Sequence, residues 1–71
     1  MDVKEETEIA LKDAYWAEIR KLYESYLHSL SISQEKQAQV TAAGDRFKQG
    51  LVHARLALDQ CLKLVDEVLK S

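Results

Sequence analysis

The side chains in this sequence that could ligate a metal, carry a proton or attack an electrophile are few and scattered. His28 and His53 are the two histidines, Cys61 is the one cysteine, and Asp66 and Glu67 are chain neighbours. Adjacent positions on a helix point about 100° apart, so Asp66 and Glu67 do not make a carboxylate pair. No histidine or second cysteine stands at ligand spacing from Cys61 on its own helix, and its place on an apolar seam is that of a small packing residue. His28 and His53 each read as a lone surface histidine. Catalysis needs such groups to converge in a concave pocket, so the expectation is a protein that is not an enzyme and carries neither metal nor cofactor. Tyr15, Trp16, Tyr23 and Tyr26 could stack on nucleic-acid bases, but they recur at the spacing of a packing stripe. Lys and Arg are dispersed among acids, with no basic face for a phosphate backbone.

The elements that must position these residues follow from composition. Ten Lys plus Arg against twelve Asp plus Glu leave a charge of −2, too balanced to advertise a nucleic acid or a membrane surface. With no proline and two glycines in 71 residues, the sequence lacks the turn punctuation a sheet requires. The fold class expected is all-α, in one domain. At this size a lone core supplies only about 3–5 kcal/mol, and small folds add disulfides, a metal or a partner chain. One cysteine closes no intrachain disulfide. The start, Met1-Asp2-Val3-Lys4-Glu5-Glu6, is acidic where a signal peptide is basic and then apolar, and no apolar run approaches the roughly 20 residues that span a bilayer. These features predict a cytoplasmic protein, with no membrane contact, that gains stability from another polypeptide.

Two helices are predicted. Leu11, Tyr15, Ile19, Leu22 and Tyr26 share one face of a helix over about 3–30, and Trp16, Tyr23, Leu27 and Leu30 widen that stripe beyond what a two-helix seam needs. Asp2, Glu5, Glu6 and Glu8 lie where carboxylates favour a helix start. Ser31-Ile32-Ser33 interrupts the pattern and is read as the turn. Ser33 before Gln34-Glu35 is one N-cap, and Ser31 with Gln34 is a competing capping box. Val40, Gly44, Phe47, Leu51, Ala54, Leu58, Cys61, Val65 and Val68 then alternate steps of four and three, a heptad seam kept through a helix over about 33–70. Gly44-Asp45 can end one helix and cap another, and Gly50 costs about 1 kcal/mol relative to Ala inside a helix. The unbroken phase across both glycines favours a continuous helix, with any kink confined to 43–50. So short a turn predicts an antiparallel, coiled-coil-like hairpin.

A turn centred on Ser31 and Ile32 sets Leu22 against Thr41, Ile19 against Gly44, Trp16 against Phe47 and Leu11 against Leu51 or Val52. Phe47 is then expected to pack on Tyr15 or Trp16, and Gly44 to admit Ile19. This register exhausts the first helix near Cys61 and leaves about 12–15 Å of the second without a mate. That overhang holds Leu58, Cys61, Leu62, Leu64, Val65, Val68 and Leu69, which cover more of the circumference than one neighbour can bury. They are the candidate partner-binding residues.

A helical hairpin of this length, with the run Phe47-Lys48-Gln49-Gly50-Leu51-Val52-His53-Ala54-Arg55-Leu56-Ala57-Leu58-Asp59-Gln60-Cys61-Leu62, resembles the small co-chaperones of bacterial type III secretion systems, the YscE/EscE-like family, over the whole chain. The resemblance implies that the protein binds a larger tetratricopeptide-like co-chaperone and that the pair keeps the needle subunit soluble in the cytoplasm until secretion. Two other classes fit the pattern: a homodimeric four-helix bundle with a regulatory or scaffold role, and a subunit of a larger coiled-coil scaffold.

Overall fold

Asp2 starts the first helix by accepting a hydrogen bond at its carboxylate from the Glu5 amide, 2.8 Å, while its carbonyl accepts from the Glu6 amide, 3.1 Å. Glu5 and Glu6 follow in the first turn, at the positive end of the helix dipole. The computed structural model describes residues 2–33 and 36–69. They form two helices, α1 over Val3–Ser33 and α2 over Gln37–Val68, packed side by side in an antiparallel hairpin with no strand among the described residues.

Ser31-Ile32-Ser33 is not the turn. Both serines belong to α1: the Ser31 hydroxyl donates to the His28 carbonyl at 2.8 Å and the Ser33 hydroxyl to the Leu30 carbonyl at 3.0 Å. Hydroxyls that could cap the start of a second helix instead bond back to carbonyls in the last turn of the first. The predicted caps involving Gln34 and Glu35 lie outside the described residues, as does the predicted end at Lys70. At the start of α2, Lys36 has an extended backbone and makes no side-chain cap. Its carbonyl accepts from the amides of Gln39 and Val40, each at 3.0 Å.

Moving the turn lengthens one helix while it shortens the other, so the pairing slips by twice the displacement. Leu22 meets Gly50 rather than Thr41, and Phe47 stacks on Tyr26 with ring centres 5.2 Å apart rather than on Tyr15 or Trp16. Leu11 shares a groove with Ala54, Leu58 and Cys61, not with Leu51 or Val52. At the open end the Lys4 ammonium donates to the Asp66 carboxylate at 2.6 Å. That bond, then the charge of Asp66, raises the Lys4 pKa above its usual value. The two helices are matched in length, 31 and 32 residues, and the expected overhang of α2 does not exist.

The seam residues are otherwise where periodicity places them. Leu11, Tyr15, Ile19, Leu22 and Tyr26 of α1 are partly buried, as are Val40, Gly44, Phe47, Leu51, Ala54, Cys61 and Val65 of α2, while Leu58 is buried and Val68 is exposed. The second helix runs unbroken through both glycines. Their roles differ from expectation. A methyl group at Gly50 would run into the Leu22 side chain, whereas one at Gly44 meets nothing within 4 Å. Gly50, not Gly44, admits a close neighbour. Gly44→Ala is therefore expected to stabilise the chain by about 0.5–1 kcal/mol, the helix-propensity gain alone. Gly50→Ala has to displace Leu22 and is expected to gain less or to lose stability. Thermal melts of the two variants check this, since 1 kcal/mol moves a midpoint by about 4–8 °C in a domain of this size; a larger gain at Gly50 would show that Leu22 does not lean on it.

Candidate docking surface

Two helices side by side make a slab one helix thick. The molecule measures 53 × 17 × 9 Å, and its radius of gyration is 16.3 Å where a compact chain of this length has about 11 Å. Among the described residues Ala43 and Leu58 are the only buried hydrophobic side chains. Accessible surface totals 5633 Å², against about 4,500 Å² for a compact protein of this mass. Both broad faces are open, and they differ in chemistry.

One face carries α1 positions that α2 does not reach. Ile9, Trp16, Tyr23 and Leu27 are exposed there, Trp16 by 61% and Tyr23 by 54%. Trp16 makes an edge-on contact with Tyr15, ring centres 5.4 Å apart, and Tyr15 in turn lines a shallow open trough with Leu51, Val52, Arg55, Leu56 and Asp59. The apolar surface is therefore continuous from α1 across to α2. The opposite face carries mostly small and polar residues along its length, between an exposed Ile32 near the turn and exposed Val3, Leu64 and Val68 at the open end. Its grooves are lined by Ala14, Glu18 and Ala57 toward the open end and by Ser25, Ser29, Ala42 and Arg46 toward the turn. Ala and Ser at these positions leave shallow furrows between the helices rather than a packed apolar surface.

The seven residues expected to bind a partner separate into two sets. Leu58 is 8% exposed and belongs to the core, and Cys61, Leu62, Val65 and Leu69 are partly buried, because the shifted register brings the start of α1, with Lys4 bonded to Asp66, alongside that end. Leu64 and Val68 remain exposed, by 57% and 78%. Helical spacing places them with Val3, also exposed, at the open end on the small-residue side. The exposed Trp16 and Tyr23 stripe is not among those seven residues, although its signal is in the sequence: it is the extra apolar width of α1 that a two-helix seam leaves unused.

His28 and His53 are both exposed. Among the described residues no group of three His, Cys, Asp or Glu side chains could hold a metal ion, and no helix is long and apolar enough to cross a membrane. Fold and surface together define the chain as an all-α antiparallel hairpin with open apolar faces. No protein-family model, curated protein or solved structure matches it.

Proposed function

We propose that the chain is a non-catalytic cytoplasmic binding subunit, a helical hairpin completed by helices of another protein. The observation that carries this reading is the single-layer architecture, which leaves large apolar side chains on both broad faces and buries almost none. A slab of this kind offers long apolar stripes to the amphipathic helices of a partner. The resemblance to type III secretion co-chaperones supplies the particular reading: the partner is a tetratricopeptide-like co-chaperone, and the pair keeps a needle subunit soluble. A subunit that polymerises through its own amphipathic helices is held in solution only by a cover of matching helical surface. Leu64 and Val68, next to the partly buried Val65 and Leu69, are the residues assigned to this contact.

The test is co-expression with a tetratricopeptide-like co-chaperone and a needle subunit, read as the amount of needle subunit left soluble. The wild-type chain is expected to keep it in solution as part of a ternary complex. Leu64→Glu/Val68→Glu should abolish that effect, because each carboxylate would be desolvated in an apolar contact without a mate. Circular dichroism should show the hairpin intact, since both side chains are exposed in the free chain. Full retention of activity by the double variant would overturn the assignment of this end.

A further inference from the structure

We propose that the Trp16 and Tyr23 face is the seat of a second copy of this chain, giving an antiparallel four-helix bundle through a two-fold axis. This inference is independent of the foreign partner, which the residues of the open end are assigned to bind.

Three observations favour a second copy. The first is spacing. Ile9, Trp16, Tyr23 and Leu30 recur every seven residues on α1, so successive members are offset by only about 20° and form a nearly straight line of roughly 32 Å. A regular seven-residue stripe is the pattern that another helix running along α1 would match. The second is self-complementarity. Read in reverse, the stripe places its members at the same intervals, so a copy turned about an axis between Ile19 and Arg20 sets Trp16 of each protomer against Tyr23 of the other. Ile9 then meets Leu30, and the stem of Lys12 lies along Leu27. A two-fold interface must be complementary to itself, and aromatic rings at its centre contribute beyond their area.

The third observation is area. The chain exposes about 1,100 Å² more than a compact protein of its mass, and each partner in a stable interface gives up about 800 Å². One face pairing on that scale removes most of the excess. The trough formed by Tyr15, Leu51, Val52 and Leu56 continues the face onto α2, so the contact engages all four helices. A charge of −2 per chain opposes pairing only weakly.

Trp16 is the one tryptophan of the sequence, so the interface carries its own reporter. Sedimentation equilibrium of the full chain over about 1–100 µM should return a dimer that dissociates on dilution, and Trp16 emission should shift to the red over the same range. Tyr23→Glu/Leu27→Glu keeps the reporter and should weaken association at least about 100-fold, whereas Leu64→Glu/Val68→Glu on the other face should leave it unchanged. Should the first variant lose helicity, cross-linking decides. In a Cys61→Ser background, Arg20→Cys lies beside the proposed axis and should form an intermolecular disulfide under mild oxidation, while Lys21→Cys, about 100° further round α1, should not. A chain that stays monomeric throughout, a dimer insensitive to Tyr23→Glu/Leu27→Glu, assemblies larger than two, or cross-linking through Lys21→Cys in place of Arg20→Cys would each overturn the proposal. If the dimer forms as described while the needle subunit is not held in solution, only the co-chaperone reading fails.

Discussion

Leu58→Ala is expected to cost about 2–5 kcal/mol, against a total of about 3–5 kcal/mol that a chain of this size can draw from its core. Most molecules carrying the substitution should be unfolded or close to unfolding at room temperature. Leu58 is the one large side chain buried among the described residues, and it sits in a groove with Leu11, Ala14, Tyr15, Ala54, Ala57 and Cys61. Three of those neighbours are alanines, which have no rotatable side chain to swing into the space a shortened Leu58 leaves. The loss should therefore fall in the upper part of the range for such substitutions, where the site collapses least. Gln49→Ala provides the comparison: Gln49 is exposed and belongs to neither the seam nor the apolar surfaces, and its truncation should move the melting midpoint by no more than a few degrees. Circular-dichroism melts of parent and variants at one fixed concentration, which keeps any self-association constant, measure both. A Leu58→Ala chain that melts within a few degrees of the parent would show that the seam is not the source of stability.

Periodicity alone places Leu58 on the seam, although the predicted overhang assigned it to a partner rather than to the core. Steps of four and three through Val40, Gly44, Phe47, Leu51, Ala54, Leu58, Cys61 and Val65 place these positions on one face of any helix that contains them, whatever lies opposite. The same periodicity identifies Leu11, Tyr15, Ile19, Leu22 and Tyr26. What periodicity does not fix is the register between two such faces, because sliding one seam along the other by a heptad leaves both patterns intact. Register depends on the turn, and the turn was ambiguous for a chemical reason. A serine hydroxyl can accept from an amide at a helix start or donate to a carbonyl at a helix end, and both options are open to Ser31 and Ser33 from composition alone. Ser31 donates to the His28 carbonyl and Ser33 to the Leu30 carbonyl, the helix continues through both, and every facing pair moves with it. Gly44 and Gly50 exchanged roles as a consequence. Trp16 and Tyr23 illustrate a different limit: the α1 stripe is wider than α2 can cover, but the unequal helices predicted from Ser31-Ile32-Ser33 direct attention to the apolar end of α2 instead.

The same slip changes what the C-terminal residues should do when mutated. Under an overhang, Val65→Glu/Leu69→Glu would leave the hairpin intact and remove only partner binding. With α1 reaching Val3 and Lys4 bonded to Asp66, Val65 and Leu69 are partly buried against the first helix, and the double substitution is expected to destabilise the chain itself. Full burial of a Val or Leu is worth about 1.5–3 kcal/mol, so losing two half-buried ones removes about 1.5–3 kcal/mol together, before any cost of crowding carboxylates at a helix end. That is a midpoint lowered by at least about 6 °C. Two added charges beside Asp66 and Glu67 would also disfavour the negative end of the α2 dipole, so charge alone could produce part of the fall. Leu64→Glu/Val68→Glu removes that ambiguity. It adds the same two carboxylates to the last two turns of α2 but at exposed positions, so the charge effects are shared and the burial effect is not. The difference between the two double variants, measured in the same buffer and at raised salt, isolates the contact with α1. Salt should narrow the loss common to both and leave that difference almost unchanged, because screening acts on exposed charges and not on lost apolar contact. Equal melting midpoints for the two variants would mean that α1 does not cover this end, and the register set by Lys4 and Asp66 would be wrong.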